Sequence, residues 1–283
     1  MNDLELRQTL EQHLAEVSRE RDPYLASGGH FYVQQYIRSQ FERWGTVEMH
    51  DFELRGKTHH NLILNLAGSD PNAAAPPVLI GAHYDAVPGC QGADDNATGV
   101  AALLALAEVV APQPLTHPLR LVAFDLEEYG LLGSQAYAKL LRQQNQKLRL
   151  MISLEMLGYC SHQPNSQRYP AKLERFYPTT GNFIALVGNL ATIPDLRRLS
   201  QSIRKSGQAC EWLPAGLRGQ MVPGTRSSDH APFWDQGYAA LMVTDTAYLR
   251  NPHYHLSSDR IETLDLDFFT SVCRGVIAGI RAL

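Results

Sequence analysis

The sequence predicts an α/β protein, a three-layer α/β/α sandwich formed by one domain over residues 1–283 on a mixed, mostly parallel central sheet. Three observations predict it. From residue 78 onward the short apolar runs are continuous, as in strands covered on both faces of a sheet: residues 78–80, 119–124, 148–154, 183–187 and 239–243. Helical stretches at 97–110 and 134–144 separate the first three runs, the βαβ alternation of a parallel sheet. Ahead of them, Val47 and Met49, and then residues 61–66, alternate apolar with polar side chains, which predicts a half-exposed antiparallel ribbon.

The remaining elements follow in order. Leu10, Leu14 and Val17 share one helical face within the charged stretch 1–22, which lacks the apolar core of a signal peptide. Ser27-Gly28-Gly29 interrupts that pattern, and a second amphipathic helix carries Ile37, Phe41 and Trp44 to a stop at Gly45. Residues 69–77, rich in Ala and Pro, predict a surface loop. Phe269, Val272, Val276 and Ile280 mark a closing helix. Residues 161–181 and 212–226 are expected to be loops that line a substrate pocket. No internal repeat or low-complexity tract is present.

Composition narrows the function. With 44% hydrophobic and 19% charged residues the chain has ordinary globular character. The net charge of −4 is scattered, leaving no basic stripe for nucleic acid or an anionic membrane. No apolar run approaches the roughly 20 residues of a transmembrane helix. Cys90, Cys160, Cys210 and Cys273 are far apart, with no Cys-x-x-Cys pair, and predict reduced thiols in a cytoplasmic protein. No partner protein is implied.

Metal-ligand residue types collect where the buried runs end, the rim at which α/β sheets bind ligands. Residues 78–80 lead to His83 and Asp85, 119–124 to Glu127 and Glu128, 148–154 to Glu155, and 239–243 to a loop reaching Tyr254 and His255. Crowding those charges costs several kcal/mol per ion unless something neutralises them. A pair of divalent cations would do so, and imidazole with carboxylate suits catalytic zinc better than a closed structural site.

His83-x-Asp85, Pro88-Gly-x-x-Gly-Ala-Asp94-Asp95-Asn96-Ala-Thr-Gly99 and Glu127-Glu128-x-Gly130-Leu-x-Gly133-Ser134 resemble the M28 family of co-catalytic zinc peptidases. Glu155-Met-x-Gly-Tyr159, Ser228-Asp229-His230-Ala-Pro-Phe233 and Tyr254-His255-x-x-x-Asp259 are similar to its remaining blocks, in the same order. The resemblance implies the zinc exopeptidase fold and an aminopeptidase acting on peptides with a free amino terminus. It implies two zinc ions bridged by Asp95, with His83 and Glu155 on one, and Glu128 and His255 on the other. Glu127 would be the general base that activates the bridging water. Asp85 would accept a hydrogen bond from the free ring nitrogen of His83, and Asp229 would act similarly on the other side. Tyr254 would either donate to the oxyanion or pack against His255. The chain departs from the commonest pattern in carrying Glu155 where many relatives have Asp.

Asp94 is expected only to cap the helix near Ala97, and His59, His60, His230 and His253 to be ordinary histidines. Arg226 and Arg250, flanking the site blocks, are candidates to hold a substrate carboxylate. Three alternatives stay open. A glutaminyl-cyclase-type enzyme would use one zinc on a similar scaffold, although such enzymes carry Trp before the last histidine ligand. M20 deacylases share His-x-Asp-x-Val-Pro but insert a lid domain for which this chain has no room. A binding module of the same fold would have lost its ligands.

Overall fold

The computed structural model describes residues 1–69, 75–170 and 173–283. Parts of two expected loops, 69–77 and 161–181, thus lie outside the described residues.

Helix α1 (Asp3–Val17) opens on a reciprocal cap, in which Asn2 Oδ1 accepts from the Glu5 N–H and the Glu5 carboxylate accepts from the Asn2 N–H. It buries Leu6, Leu10, Leu14 and Val17. Helix α2 (Ser27–Glu42) buries Val33, Ile37 and Phe41. The glycines expected to interrupt the pattern lie inside its first turn. The reason is steric at Gly29, where a Cβ would collide with the carbonyl oxygen of Glu20, whereas Gly28 faces open space.

Strands β1 (Val47–Leu54) and β2 (Lys57–Leu66) form the expected antiparallel ribbon, longer than its apolar alternation predicts. Arg55 and Gly56, with φ of 53° and 74°, supply the left-handed conformations a two-residue hairpin needs. Then follow β3 (Val78–His83), a helical turn over Ala93–Thr98, α3 (Gly99–Val110), β4 (Leu119–Phe124), α4 (Leu132–Gln143) and β5 (Leu150–Glu155). The second half contains β6 (Ile184–Gly188), α5 (Ile193–Lys205), β7 (Cys210–Pro214), the short α6 (His230–Asp235), β8 (Ala240–Thr244) and α7 (Leu266–Arg281). Strand β7 corrects the expectation that residues 212–226 are loop throughout. It pairs in parallel with β6, and the loop begins after Pro214.

The eight strands form one mixed sheet in the order β1-β2-β4-β3-β5-β8-β6-β7. The central four, β4, β3, β5 and β8, are mutually parallel, so their carboxyl ends share one rim. Alternate residues divide the core. Leu62, Leu64, Ile80, Leu121, Ile152 and Val243 pack towards α1, α2, α3, α5 and α7, while Ile63, Leu79, Val122, Met151 and Met242 face α4 and α6. Helix α3, buried almost all round, explains its nearly uniform apolar sequence. No helix of the described residues is long and apolar enough to cross a membrane.

The two adjacent glycines of α2 should respond to alanine with opposite signs. Gly29→Ala is expected to cost about 1–3 kcal/mol by overpacking. Gly28→Ala should be neutral or stabilise by up to about 1 kcal/mol, because alanine is the better helix former. Urea unfolding midpoints check both; equal shifts would contradict the close approach at Glu20.

Candidate metal centre

The parallel rim brings the expected residues together. His83 and Glu155 are the last residues of β3 and β5. Glu127 and Glu128 follow β4 directly, Asp95 lies in the turn ahead of α3, and His255 is carried by the loop after β8. His83 Nε2 is 3.2 Å from Asp95 Oδ1 and 3.6 Å from Glu155 Oε1. His255 Nε2 is 3.2 Å from Asp95 Oδ2 and 3.3 Å from Glu128 Oε2. The two oxygens of Asp95 therefore face different histidines, as a bridging carboxylate must.

The donor set fits two divalent cations. His83, Asp95 and Glu155 form one group whose ligand atoms lie within 4.8 Å of one another, Asp95, Glu128 and His255 form a second, and His83, Glu127 and Glu128 meet the same limit between them. Nitrogen and oxygen ligands at about 2.0–2.2 Å from tetrahedral zinc are separated by about 3.3–3.5 Å, close to the spacings observed. His83 Nε2 and Glu128 Oε1 are buried without a hydrogen-bond partner. Nature rarely leaves such atoms unsatisfied unless a ligand completes them.

Electrostatics agree. Burial, and then the charges of Glu155, Glu128 and Asp229, raise the Glu127 carboxyl well above the usual carboxylate range, with His83 opposing. Burial followed by the Asp95 charge pushes Glu128 up to about 7. Burial lowers the affinity of His255 for its proton, but Asp95 and Glu128 raise its pKa to about 10. Protons thus do part of the neutralising that cations would do.

An outer layer of hydrogen bonds fixes these loops. The Asp85 carboxylate accepts the N–H groups of Glu127 and Glu128 at 3.0 and 3.1 Å. Its expected bond with His83 is looser: Nδ1 is 3.4 Å from the carboxylate and 3.2 Å from the Asp85 carbonyl, which is the hydrogen-bond acceptor. The reason is that the carboxylate is already committed to the glutamate loop. Asp229 departs further from expectation, since neither of its buried oxygens has a hydrogen-bond partner. Burial pushes its pKa up to about 7. Glu155 reaches the site despite its extra methylene because Ser228 Oγ donates to Oε2 at 2.7 Å. The Tyr254 ring stacks on His255 with centroids 3.8 Å apart and borders the cavity described below. Asp94, expected to cap, instead accepts from the Gly158 N–H at 2.9 Å and from Asn251 Nδ2 at 2.7 Å.

Three parts of this layer had no role assigned from the sequence, although Asp259 closes one of the family-like blocks. Arg21, just past α1, is fully buried. It donates only to carbonyl oxygens: Tyr84 at 2.9 Å, Gly92 at 2.9 Å, Asp95 and Arg19 each at 3.2 Å, Val17 at 3.4 Å, and Gln91. Asp259 closes the other side, accepting the N–H groups of Asp94 and Asp95 at 2.9 and 3.1 Å. The Asp95 peptide is thereby gripped at its N–H by a carboxylate and at its carbonyl by a guanidinium. Gly92, at φ 54°, is required because a Cβ would meet the Asp95 carbonyl and the guanidinium. Finally, His30 and His59 flank the buried Asp125 carboxylate at 2.7 and 3.1 Å, so His59 is a member of a buried cluster at the end of β4.

Neither arginine proposed for a substrate carboxylate is available. Arg226 pairs with Asp235 at 2.7 Å, and Arg250 is buried against the carbonyl of Phe183 at 2.8 Å and Gln167 Oε1 at 2.9 Å.

Beside the cluster opens a cleft of about 950 Å³, the solvent at its open side included, whose lining includes Asp95, Glu127, Glu128, Glu155 and His255. Phe183, Ala185, Val187, Leu213 and Met242 supply apolar wall.

An α/β protein whose parallel strands present paired histidine-carboxylate groups to an apolar cleft belongs among metal-dependent hydrolases. Residues 61–279 match the profile of Peptidase family M28, and the chain belongs to that family. It is 34% identical over 258 residues to YfbL of Escherichia coli K12, an uncharacterized protein, covering 86% of this chain and 77% of YfbL. It is 25% identical to a probable leucine aminopeptidase 1 of Trichophyton verrucosum, covering 79% of this chain but 58% of that protein. The LapA aminopeptidase of Legionella pneumophila shares the fold with a TM-score of 0.72 at 18% identity, over 99% of this chain and 74% of LapA.

Arg21→Met should lower divalent-cation affinity about 10–100-fold, as loss of outer-layer partners does, whereas Arg21→Lys, which keeps the charge and some donors, should lose less. Competition with a coloured chelator reads the affinity and far-UV circular dichroism confirms folding. Folded Arg21→Met with native affinity would contradict this role.

Proposed function

We propose that this protein is a zinc-dependent aminopeptidase that removes large apolar residues from the amino terminus of peptides. The observation that carries the reading is Asp95, whose two oxygens face His83 and His255 and which lines an apolar cleft. The aminopeptidase names of its relatives support the reaction class.

Two zinc ions held by His83, Asp95, Glu155, Glu128 and His255 would polarise the scissile carbonyl and lower the pKa of water. Glu127 is the general base. It borders the cleft beside the ligand Glu128, and its backbone is fixed by Asp85, so its carboxylate can take the proton of the attacking water and pass it to the leaving amine. Tyr254, which stacks on His255 and lines the cleft, would donate its hydroxyl to the developing oxyanion.

Specificity comes from the cleft. Ala185 and Val187 project from one face of β6 towards Met242 of β8, and Tyr169, Tyr177 and Trp212 widen the apolar lining. Burying a leucine or phenylalanine side chain there stabilises binding by about 1.5–3 kcal/mol relative to water. The four cysteines are free thiols, which supports a reducing, cytoplasmic setting.

Glu127→Gln should retain zinc, measured by elemental analysis, and lose about 10²–10⁴-fold in kcat on leucine anilide. Near-native turnover would overturn the assignment. Ala185→Phe should cut kcat/KM for leucine and phenylalanine anilides at least about 10-fold, the scale of one or two methylenes of pocket, while sparing alanine anilide. An unchanged preference would show that the side chain binds elsewhere. Release of pyroglutamate from glutaminyl peptides, with no free amino acid from any anilide, would favour the cyclase alternative.

A further inference from the structure

A second group of metal-ligand side chains lies away from the rim. Cys160 and His162 follow β5, and Asp265 precedes α7; their ligand atoms all lie within 4.8 Å of one another. None of the three belongs to the set around Asp95. Cys160 Sγ is 3.6 Å from His162 Nε2. In tetrahedral zinc sites the sulfur lies about 2.3 Å and the nitrogen about 2.0–2.1 Å from the ion, which places the two about 3.6 Å apart.

The backbone around these residues is already fixed. Asp265 caps α7, its Oδ1 accepting from the Phe268 N–H at 2.9 Å, and its own N–H donates to the Gly158 carbonyl at 2.9 Å. The Ser161 N–H donates to the Gly181 carbonyl at 2.9 Å. Cys160 packs against the main apolar core, while His162 is exposed, so the group is reachable from solvent without moving the chain. Anchored backbone on either side lowers the conformational entropy lost on binding.

We propose that Cys160, His162 and Asp265 form a separate site for a thiophilic divalent cation of the zinc class, with three protein ligands and one open position. Coordination replaces the thiol proton, which is released to solvent, by a sulfur–metal bond. Its effect is mechanical. The ion clamps the segment after β5 onto the start of α7. The same segment holds Asp94 through the Gly158 N–H, so the clamp extends to the residue beside Asp95. Sulfur sets the site apart, because the ligands around Asp95 offer only nitrogen and oxygen.

Cobalt(II) titration of the metal-free, full-length protein tests this independently of any peptidase activity, because a thiolate-to-cobalt charge-transfer band reports sulfur ligation alone. One equivalent of such absorption should develop in the native protein, vanish in Cys160→Ser, weaken in His162→Ala, and persist in both Cys90→Ser and His83→Ala. Elemental analysis after zinc loading should find one ion fewer in Cys160→Ser than in the native chain. A saturated protein without the band, a band that survives Cys160→Ser, or equal zinc content in the two proteins would overturn the proposal.

Discussion

Mutual repulsion among buried carboxylates is the constraint on which this structure turns. Asp85, Asp95, Glu155 and Asp229 are all buried near one rim of the sheet, with Glu127 and Glu128 beside them. Each ion so placed loses hydration worth several kcal/mol and is repelled by its neighbours. Three devices answer that cost: a proton affinity that burial raises at Glu127, Glu128 and Asp229; imidazoles aimed at Asp95; and backbone N–H groups donated to Asp85 and Asp259. Paired dications would complete the neutralisation, and the two histidine-carboxylate groups are spaced for them.

The division between rigid and reactive groups follows from the same constraint. Carboxylates with no room to move hold backbone: Asp85 fixes the Glu127-Glu128 turn and Asp259 fixes Asp94 and Asp95. Side chains that must reach the chemistry hang from those turns. Arg21 adds a buried positive charge while donating only to carbonyls, so it orders the turn around Asp95 without drawing the carboxylate away from His83 and His255. In the proposed function, the apolar cleft beside this charged edge would take a side chain of the peptide and the edge its scissile amide.

Much of this was legible in the sequence, because continuous apolar runs reveal strands buried on both faces and such strands aim their carboxyl ends at one rim. His83, Glu127, Glu128, Glu155 and His255 meet there as the strand ends imply, and Asp95 joins them as the family resemblance implies. Local patterning fails where partners are remote. Arg21 lies 74 residues from Asp95 along the chain, and nothing around it marks the contact. Gly28 and Gly29 read as a break because the close approach that demands Gly29 comes from a carbonyl in another segment. Strand β7 hides because its residues after Cys210 are only half buried, lacking the continuous apolar run that betrays the central strands. Arg226 and Arg250 flank the right blocks but are spent on Asp235 and on the Phe183 carbonyl.

The central claim, that paired cations draw these distant side chains to one place, is tested most directly by anomalous diffraction at the zinc edge from crystals of the zinc-loaded protein. The account predicts two peaks at this rim about 3.5–4 Å apart, one beside His83 and Glu155, the other beside Glu128 and His255, with Asp95 between them. A single peak there, or none within coordinating reach of Asp95, would contradict it.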